Sequence, residues 1–211
     1  MADSGCAAVI LAAGASTRLG QPKQLLRMGD ESLLHRTARL ALEAGCGPVF
    51  AVLGFEAETM RAELSGPGLE GFGLEIVVNE NWQEGIGASL RTGMEAMQQL
   101  DRQPDSVLVL VCDQPRLTAE YLRTLIDSHQ SARKSANSVT AGVLITASVY
   151  AGRAGVPAVF SSGLFSELAA LSGDRGARGL IQAHGARVQG IPWPEGELDL
   201  DRPEDLATIE R

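Results

Sequence analysis

Aromatic side chains are scarce in this chain of 211 residues, where Phe, Trp and Tyr together make up only 4% of the sequence. Aliphatic residues and alanine must therefore fill the core. The apolar fraction of 45% is large enough for a folded protein and argues against global disorder. Basic residues are also in the minority. The net charge of −8 argues against a surface that binds nucleic acid or an anionic membrane.

Long apolar runs are absent as well, since none approaches the roughly 18 residues that a membrane-spanning helix requires. The N-terminus carries Asp3 in place of the basic residues of a secretory signal, so we expect no signal peptide. The three cysteines, Cys6, Cys46 and Cys112, lack the spacing of a metal site. They are typical of small buried thiols in a reducing compartment, and we expect a cytoplasmic protein.

Apolar segments alternate with amphipathic segments along the chain. Strands separated by helices indicate βαβ units, so we predict an α/β protein with a Rossmann-like three-layer α/β/α arrangement and a mostly parallel sheet. The length fits a single domain over residues 1–211. The pattern predicts early strands at 7–11, 48–53, 74–78 and 107–111, helices at 31–44, 56–64, 88–100 and 118–131, a mobile loop at 131–137, late strands at 138–145, 157–160 and 188–191, and a final helix at 203–210.

The first strand leads into a glycine-containing, basic loop: Ala12-Ala13-Gly14-Ala15-Ser16-Thr17-Arg18-Leu19-Gly20-Gln21-Pro22-Lys23. Small residues let the backbone approach a ligand, and successive N–H groups in such a loop form an anion-binding concavity. Arg18 and Lys23 add the positive charge that a phosphate chain needs. The loop is not a Walker motif, because five residues separate its glycines and Gln24 follows Lys23. An ordinary strand-to-helix loop is the alternative interpretation.

Acidic residues follow two other predicted segments. Asp113 comes just after the apolar run at 107–111, so it is expected at the same sheet edge as the basic loop. A carboxylate there suits Mg²⁺, which takes one or two carboxylates plus phosphate oxygens. A second ligand could come from Asp199 or Asp201, whose side chains point the same way in an extended segment. Alternatively, Asp113 ends its strand and Asp201 caps the following helix.

Taken together with several shorter motifs, these signals resemble the molybdenum cofactor cytidylyltransferase family, nucleotidyltransferases of the nucleotide-diphospho-sugar transferase fold. Two positions depart from the family pattern: Cys112 stands where Gly is usual, and Arg202 where Thr is usual. The matching segments lie in order over nearly the whole chain: Leu11-Ala12-Ala13-Gly14 with Arg18, Gly20 and Lys23; Asn81-Trp82 with Gly85, Gly87 and Ser89; Asp113-Gln114-Pro115; Gly155-Val156-Pro157; Gly173-Asp174-Arg175-Gly176-Ala177-Arg178; and Asp201-Arg202-Pro203-Glu204-Asp205.

The resemblance implies a Mg²⁺-dependent transfer of CMP from CTP to the terminal phosphate of molybdopterin, with release of pyrophosphate. In this family Ala-Ala-Gly at positions 12–14 accompanies cytidine, and the backbone of residues 11–13 meets the base. Lys23, Arg18 and Asp113 are the implied catalytic residues. The other implied roles are nucleotide binding by Leu11, Ala12, Ala13, Gly14, Ser16, Thr17, Arg18, Gly20, Lys23, Asn81 and Ser89, metal binding by Asp113 with Asp201 or Asp199, and acceptor binding by Gly155, Pro157, Asp174, Arg175 and Arg178.

Two other functions are consistent with the sequence. One is a cytidylyl, guanylyl or uridylyl transferase that acts on another phosphorylated acceptor. The other is a non-catalytic chaperone that holds the cofactor for a molybdenum hydroxylase. The presence of Lys23 and Asp113 disfavours the chaperone, because a binding protein has no need of a metal carboxylate. If CMP transfer is correct, a molybdenum-dependent oxidoreductase would receive the product.

Overall fold

The computed structural model describes residues 5–69, 73–135 and 142–200, together with Asp205. The strands in this part of the chain are β1 Cys6–Leu11, β2 Arg27–Met28, β3 Glu31–Ser32, β4 Val49–Leu53, β5 Leu74–Val78, β6 Ser106–Val111, β7 Ile145–Tyr150, β8 Arg153–Ser161 and β9 Val188–Pro192. The α-helices are α1 Leu33–Glu43, α2 Ala57–Leu64, α3 Ile86–Gln98, α4 Ala119–Ser135, α5 Phe165–Ala169 and α6 Ala177–Ala183.

Seven strands form the central sheet, in the order β5-β4-β1-β6-β8-β7-β9. The first four are parallel to one another. Strand β8 runs antiparallel to both β6 and β7, and β9 is parallel to β7. All of these strands except β8 therefore end at one edge of the sheet, and β8 begins there. The predicted mostly parallel sheet is confirmed, with β8 as the exception.

Helices cover both faces of this sheet, because successive side chains of a strand point to opposite sides. In β1, Ala8 and Ile10 belong to the hydrophobic cluster that includes α1, α2 and α4. Ala7 and Val9 belong to the cluster that includes α3, α5 and α6. The three-layer α/β/α prediction is confirmed. Within the described residues, no helix is both long enough and apolar enough to cross a bilayer.

Several predicted boundaries are wrong. The helix expected from residue 31 begins at Leu33, because Glu31–Ser32 pairs with Arg27–Met28 in a short hairpin. Helix α4 continues through the segment expected to be a loop, to Ser135, and the guanidinium of Arg133 donates to the Asp105 carbonyl at 2.8 Å. Of the strand expected at 138–145, residues 142–144 are not in a strand and β7 begins at Ile145, whereas the strand expected at 157–160 is part of the longer β8. Residues 136–141 and the predicted helix at 203–210, apart from Asp205, lie outside the described residues.

Glu31 connects the hairpin to α1 through a cluster of basic side chains. Its carboxylate accepts hydrogen bonds from Arg39 at 2.9 and 2.5 Å and from Arg36 at 3.3 Å. The Nδ1 atom of His35 lies 3.3 Å from the same carboxylate. Hydrogen bonding to Arg39 is the largest cause of a fall in the pKa of Glu31 to about 2. The ionised form of Glu31 therefore stabilises the folded state.

Replacing Glu31 by glutamine is expected to lower the free energy of unfolding at pH 7 by roughly 1 kcal/mol, as partly exposed ion pairs are lost. An unperturbed glutamate titrates near pH 4.5. The stabilisation is therefore complete above that pH and is lost as the pH falls towards 2. Urea unfolding of both proteins at pH 7, 4.5 and 2.5 measures the difference. A difference that stays the same at all three pH values would contradict this account.

Candidate active site

The carboxyl ends of β1 and β6 bring the basic loop and Asp113 together. These strands are parallel neighbours with Leu11 opposite Val111, so the segments that follow them leave the sheet side by side. Lys23 Nζ and Asp113 Oδ2 form an ion pair across 90 positions of sequence. The two side chains are 23% and 17% exposed, so a ligand can reach them although bulk water is largely excluded.

Two cavities share the Lys23 side chain. The first, of about 300 Å³, also reaches Asp113, and the second has a volume of about 470 Å³. The larger cavity is rich in hydroxyl and charged groups, which suits phosphates, whereas the smaller one has apolar walls that suit a flat ring. Lining residues of the first include Leu11, Trp82, Ile86, Ser89 and Val111. Those of the second include Ser16, Thr17, Arg18, Asp174 and Leu200.

The loop between β1 and Lys23 is closed by side-chain hydrogen bonds. The Nε2 group of Gln24 donates to the carbonyl oxygens of Ala12 and Gly14, both at 2.8 Å. The hydroxyl of Ser16 accepts the Lys23 N–H at 3.1 Å and donates to Gln24 Oε1 at 3.4 Å. The sequence contains no sign of this role for Gln24, because hydrogen bonds from one amide to backbone carbonyls leave no pattern in the sequence.

Some backbone groups of residues 11–13 already have partners in the protein. The Ala12 N–H donates to the Val52 carbonyl at 3.0 Å, and the Ala13 carbonyl accepts the Phe55 N–H at 3.0 Å. A carbonyl oxygen has two lone pairs, so Ala12 and Ala13 can each accept one more hydrogen bond. Recognition of a base through this segment would therefore rely on accepting hydrogen bonds more than on the Ala12 N–H.

Two glycines at the start of α3 pack against the loop at residues 172–175. A Cβ atom on Gly85, whose φ is +105°, would lie 2.6 Å from the carbonyl carbon and oxygen of Gly173. A Cβ atom on Gly87 would lie 2.7 Å from the backbone of Ser172. The Gly87 N–H also donates to the Gly173 carbonyl at 2.8 Å. The start of α3 and the loop at residues 172–175 are thus in backbone-to-backbone contact beside the first cavity.

Ser89 and Asn81 have different environments. Ser89 lines the first cavity, and its hydroxyl accepts a hydrogen bond from the buried Asn79 side chain at 3.1 Å. Asn81 is exposed and is not among the described residues that line either cavity. Its N–H donates to Asn79 Oδ1 at 3.0 Å. Asn79, which the sequence analysis did not single out, therefore orients the serine.

The segment that contains Asp199 meets Asp113 at the same edge. The Leu200 N–H donates to the Asp113 carbonyl at 3.0 Å. Burial is the largest cause of the raised pKa of Tyr150, and the charges of Asp199 and, more weakly, Asp113 raise it further. Asp201 lies outside the described residues.

These acidic groups could supply a divalent cation with only part of its coordination shell. Among the described residues, no group of three or more His, Cys, Asp or Glu forms a complete metal site. Mg²⁺ commonly takes one or two carboxylates and completes its coordination with water and substrate phosphates. The donor set of Asp113 and Asp199 fits that arrangement. Because Lys23 pairs with Asp113 Oδ2, a cation bound at that oxygen would compete with the ammonium group of Lys23.

Cys112, one of the two departures from the family pattern, forms part of the wall of the first cavity, whereas the other, Arg202, lies outside the described residues. It is buried, and its pKa is raised to about 12, mainly by burial and also by the charge of Asp113. The thiol is therefore protonated at neutral pH, and it is a small apolar surface rather than a nucleophile.

The residues implied in acceptor binding are dispersed. Asp174 lines the second cavity. Gly155 and Pro157 are buried in β8, where a Cβ atom on Gly155 would lie 2.6 Å from the Tyr150 hydroxyl. The Pro157 carbonyl accepts a hydrogen bond from the Ser148 hydroxyl at 2.6 Å. Arg175 and Arg178 are exposed near the start of α6. In the described part of the chain, Asp174 is thus the member of this set that faces either cavity.

Comparison with known proteins identifies the family. The family described as MobA-like NTP transferase domain matches residues 8–188. This chain belongs to it. The description of this family is that of an NTP transferase domain, and the chain is therefore a nucleotidyltransferase.

Curated relatives and solved structures cover almost the whole chain. Nicotine blue oxidoreductase of Paenarthrobacter nicotinovorans is 33% identical over 208 residues, which are 96% of this chain and 92% of the relative. Purine catabolism protein PucB of Bacillus subtilis is 28% identical over 209 residues, with 96% and 95% covered. Rv0371c of Mycobacterium tuberculosis H37Rv superposes with a TM-score of 0.75 at 29% identity, with 99% and 98% covered. A manganese complex of Rv0371c superposes with a TM-score of 0.70 at 27% identity, with 97% and 96% covered. The predicted nucleotidyltransferase fold is confirmed.

Proposed function

We propose that this nucleotidyltransferase transfers CMP from CTP to the terminal phosphate of molybdopterin, with Mg²⁺ and with release of pyrophosphate. The observation that carries the proposal is the Lys23–Asp113 ion pair. It joins a cation suited to phosphates and a carboxylate suited to a divalent metal, where the two cavities meet. In this proposal residues 1–211 act as a single domain. The buried cysteines Cys6, Cys46 and Cys112, which are thiols and not disulfides in the described part of the chain, support a location in the reducing cytoplasm.

The shapes of the two cavities support the position of the nucleotide in this proposal. The base and ribose would occupy the first cavity, between the apolar walls that Leu11, Trp82 and Val111 provide, with Ser89 at its side. The carbonyl oxygens of residues 12 and 13 can accept a hydrogen bond from the amine of cytosine. Because uracil has a carbonyl group in place of that amine, the same acceptors disfavour UTP.

The phosphates would lie in the second cavity. Ser16, Thr17, Arg18 and Lys23 line it and offer hydroxyl and cationic groups. Gly20, with φ of +76°, turns the chain between Arg18 and Lys23. The N–H groups of the loop add the partial positive charge that an anion requires. Asn81, which is exposed, would contribute at the rim.

Asp113, together with Asp199 or Asp201, would hold Mg²⁺, which when bound offsets negative charge on the phosphate oxygens. Lys23 and Arg18 offset the charge that develops on the leaving pyrophosphate. The attacking group is a phosphate that is already anionic, so no residue is needed as a general base. Catalysis by this chain is then positioning and charge stabilisation, as in phosphoryl transfer generally.

The acceptor would approach from the side of β8 and α6. Asp174 lies in the same cavity as Arg18, and Arg175 and Arg178 add exposed cations nearby that suit an anionic substrate. Gly155 and Pro157 would shape this side through the backbone of β8. In this proposal the dinucleotide product is passed to a molybdenum-dependent oxidoreductase.

The test is to incubate the protein with Mg²⁺, molybdopterin and CTP, GTP, UTP or ATP in turn. Pyrophosphate release is measured, and the products are identified by mass. We expect a CMP–molybdopterin dinucleotide and a specificity for CTP at least ~10-fold above the other nucleotides. The Lys23→Met variant, which lacks the ammonium group, is the low-activity control.

Other outcomes would identify the alternatives. Faster turnover with another nucleotide, or with a sugar phosphate as acceptor, would indicate a different transferase. Retention of molybdopterin with no pyrophosphate release from any nucleotide would indicate a cofactor chaperone. Either result would refute CMP transfer to molybdopterin.

A further inference from the structure

One buried side chain, Gln24, holds the Gly14 loop from the inside. It is 3% exposed, and its Nε2 group donates to two carbonyl oxygens, those of Ala12 and Gly14, each at 2.8 Å. Its Oε1 atom accepts the Ser16 hydroxyl. Two carbonyl partners on one side fix the orientation of the amide, since only its nitrogen can donate to them.

This arrangement determines which way the loop peptides face. In a trans peptide the C=O and N–H groups point in opposite directions. With the carbonyls of Ala12 and Gly14 directed at Gln24, the N–H groups of Ala13 and Ala15 point away from it. Ala13 and Gly14 line the first cavity, and Gly14 also lines the second. Inverted peptides would instead present carbonyl oxygens, which repel phosphate.

The same hydrogen bonds also fix the backbone of Lys23. The Ser16 hydroxyl accepts the Lys23 N–H at 3.1 Å while it donates to Gln24. Ser16 has φ of +51°, a left-handed conformation that is costly for a residue other than glycine, so the surrounding contacts must maintain it. One amide therefore links both ends of the loop to the lysine that pairs with Asp113.

We propose that Gln24 is the positioning residue that sets the phosphate-binding conformation of the Gly14 loop. It acts through the loop backbone, not by chemistry on the substrate. The inference rests on the proposed function in one respect, that this loop binds the phosphates of the nucleotide. It requires neither cytosine as the base nor molybdopterin as the acceptor.

The variants Gln24→Met and Gln24→Glu test this inference. Gln24→Met keeps the approximate shape of the side chain but leaves the carbonyls of Ala12 and Gly14 without their hydrogen-bond donor. Gln24→Glu keeps the shape but replaces the donating NH₂ group with an oxygen atom. Ser16→Ala is a milder variant that removes only the hydroxyl link, and it serves if a Gln24 variant does not fold. Gln103→Met is the matched control, because Gln103 Nε2 also donates to several carbonyls, at 3.1 to 3.3 Å, but at the opposite end of α3.

The first measurement is amide hydrogen exchange without any ligand. We expect exchange in residues 12–23 to be at least ~10-fold faster in the Gln24 variants, while β1 keeps its protection. In Gln103→Met this segment should exchange as in the parent protein. Unchanged exchange at residues 12–23 in the Gln24 variants would overturn the inference.

The second measurement is the affinity for inorganic tripolyphosphate in the presence of Mg²⁺, determined by titration calorimetry. We expect the Gln24 variants to bind it at least ~10-fold more weakly, and the KM for the nucleotide to rise more than kcat falls. A glutamine that only stabilises the fold would lower Tm and leave the tripolyphosphate affinity unchanged, which would overturn the inference.

Tripolyphosphate carries no base and no acceptor, so this test is separate from the choice of CTP and molybdopterin. A different nucleotide or acceptor preference would refute the proposed function and leave the tripolyphosphate result intact. Failure of the parent protein to bind tripolyphosphate would overturn the positioning role itself.

Discussion

Alanine at position 113 is expected to lower nucleotidyl transfer by about two orders of magnitude or more, as when a principal electrostatic stabiliser is removed. Asp113 lies two residues after the end of β6, and its Oδ2 atom pairs with Lys23. In the proposed mechanism, removal of this carboxylate deprives the site of its central donor for a divalent cation. Asp113→Asn keeps the shape and removes the charge, so it should lose nearly as much activity. Pyrophosphate release at saturating Mg²⁺ measures both variants.

The control for this experiment is Asp127→Ala, which removes an exposed carboxylate from α4. It should transfer nucleotide at the rate of the parent protein. The Tm of each Asp113 variant must also be measured, so that a loss of fold is not mistaken for a loss of catalysis. Near-normal Mg²⁺-dependent transfer by a folded Asp113→Ala protein would refute the metal-binding role.

The second large effect is expected from Gly85→Ala. The new Cβ atom would lie 2.6 Å from the Gly173 backbone and 2.8 Å from Asp174 Oδ1, at a residue with φ of +105°. We expect the free energy of unfolding to fall by about 2–4 kcal/mol, because overpacking and backbone strain add. Displacement of the loop beside both cavities should also lower turnover by ~10- to 100-fold. Urea unfolding and the transfer assay measure the two effects.

Gly179→Ala provides the matched glycine control. It lies in α6, and a Cβ atom there has nothing within 4 Å. The substitution should raise stability by roughly 0.5–1 kcal/mol, the usual gain of alanine over glycine inside a helix, and leave turnover unchanged. If Gly85→Ala matched this control in stability and activity, the close contact between the start of α3 and the loop at residues 172–175 would have no importance for function.

The sequence predicted those parts of the fold that have strong local patterns. The apolar runs of β1 and β6 correspond closely to the observed strands, because buried parallel strands are apolar along their whole length. The hairpin of β2 and β3 was not predicted, since strands of two residues show no periodicity. The antiparallel direction of β8 was not predicted either, because strand direction depends on the path of the chain and not on the composition of the strand.

The sequence anticipated one contact of the candidate site and missed others, for related reasons. Lys23 and Asp113 meet because both follow parallel strands that are neighbours, a relation that the edge rule for parallel sheets anticipates. Gln24 and Asn79 were missed because their importance comes from hydrogen bonds to backbone and to Ser89, which spacing in the sequence does not reveal. The assignment of roles to Asn81 and to the acceptor residues stays a prediction.

The antiparallel strand β8 also separates two blocks of the sheet that come from different parts of the chain. The four strands β5, β4, β1 and β6 come from the first 111 residues and carry the basic loop, whereas β7, β8 and β9 come from residues 145–192. Among the described strands, the ladder between β6 and β8 is the one that joins these two blocks within the sheet. In the proposed function the nucleotide lies mainly against the first block and the acceptor approaches from the second, so substitutions in β8 are expected to change the choice of acceptor more than the choice of nucleotide.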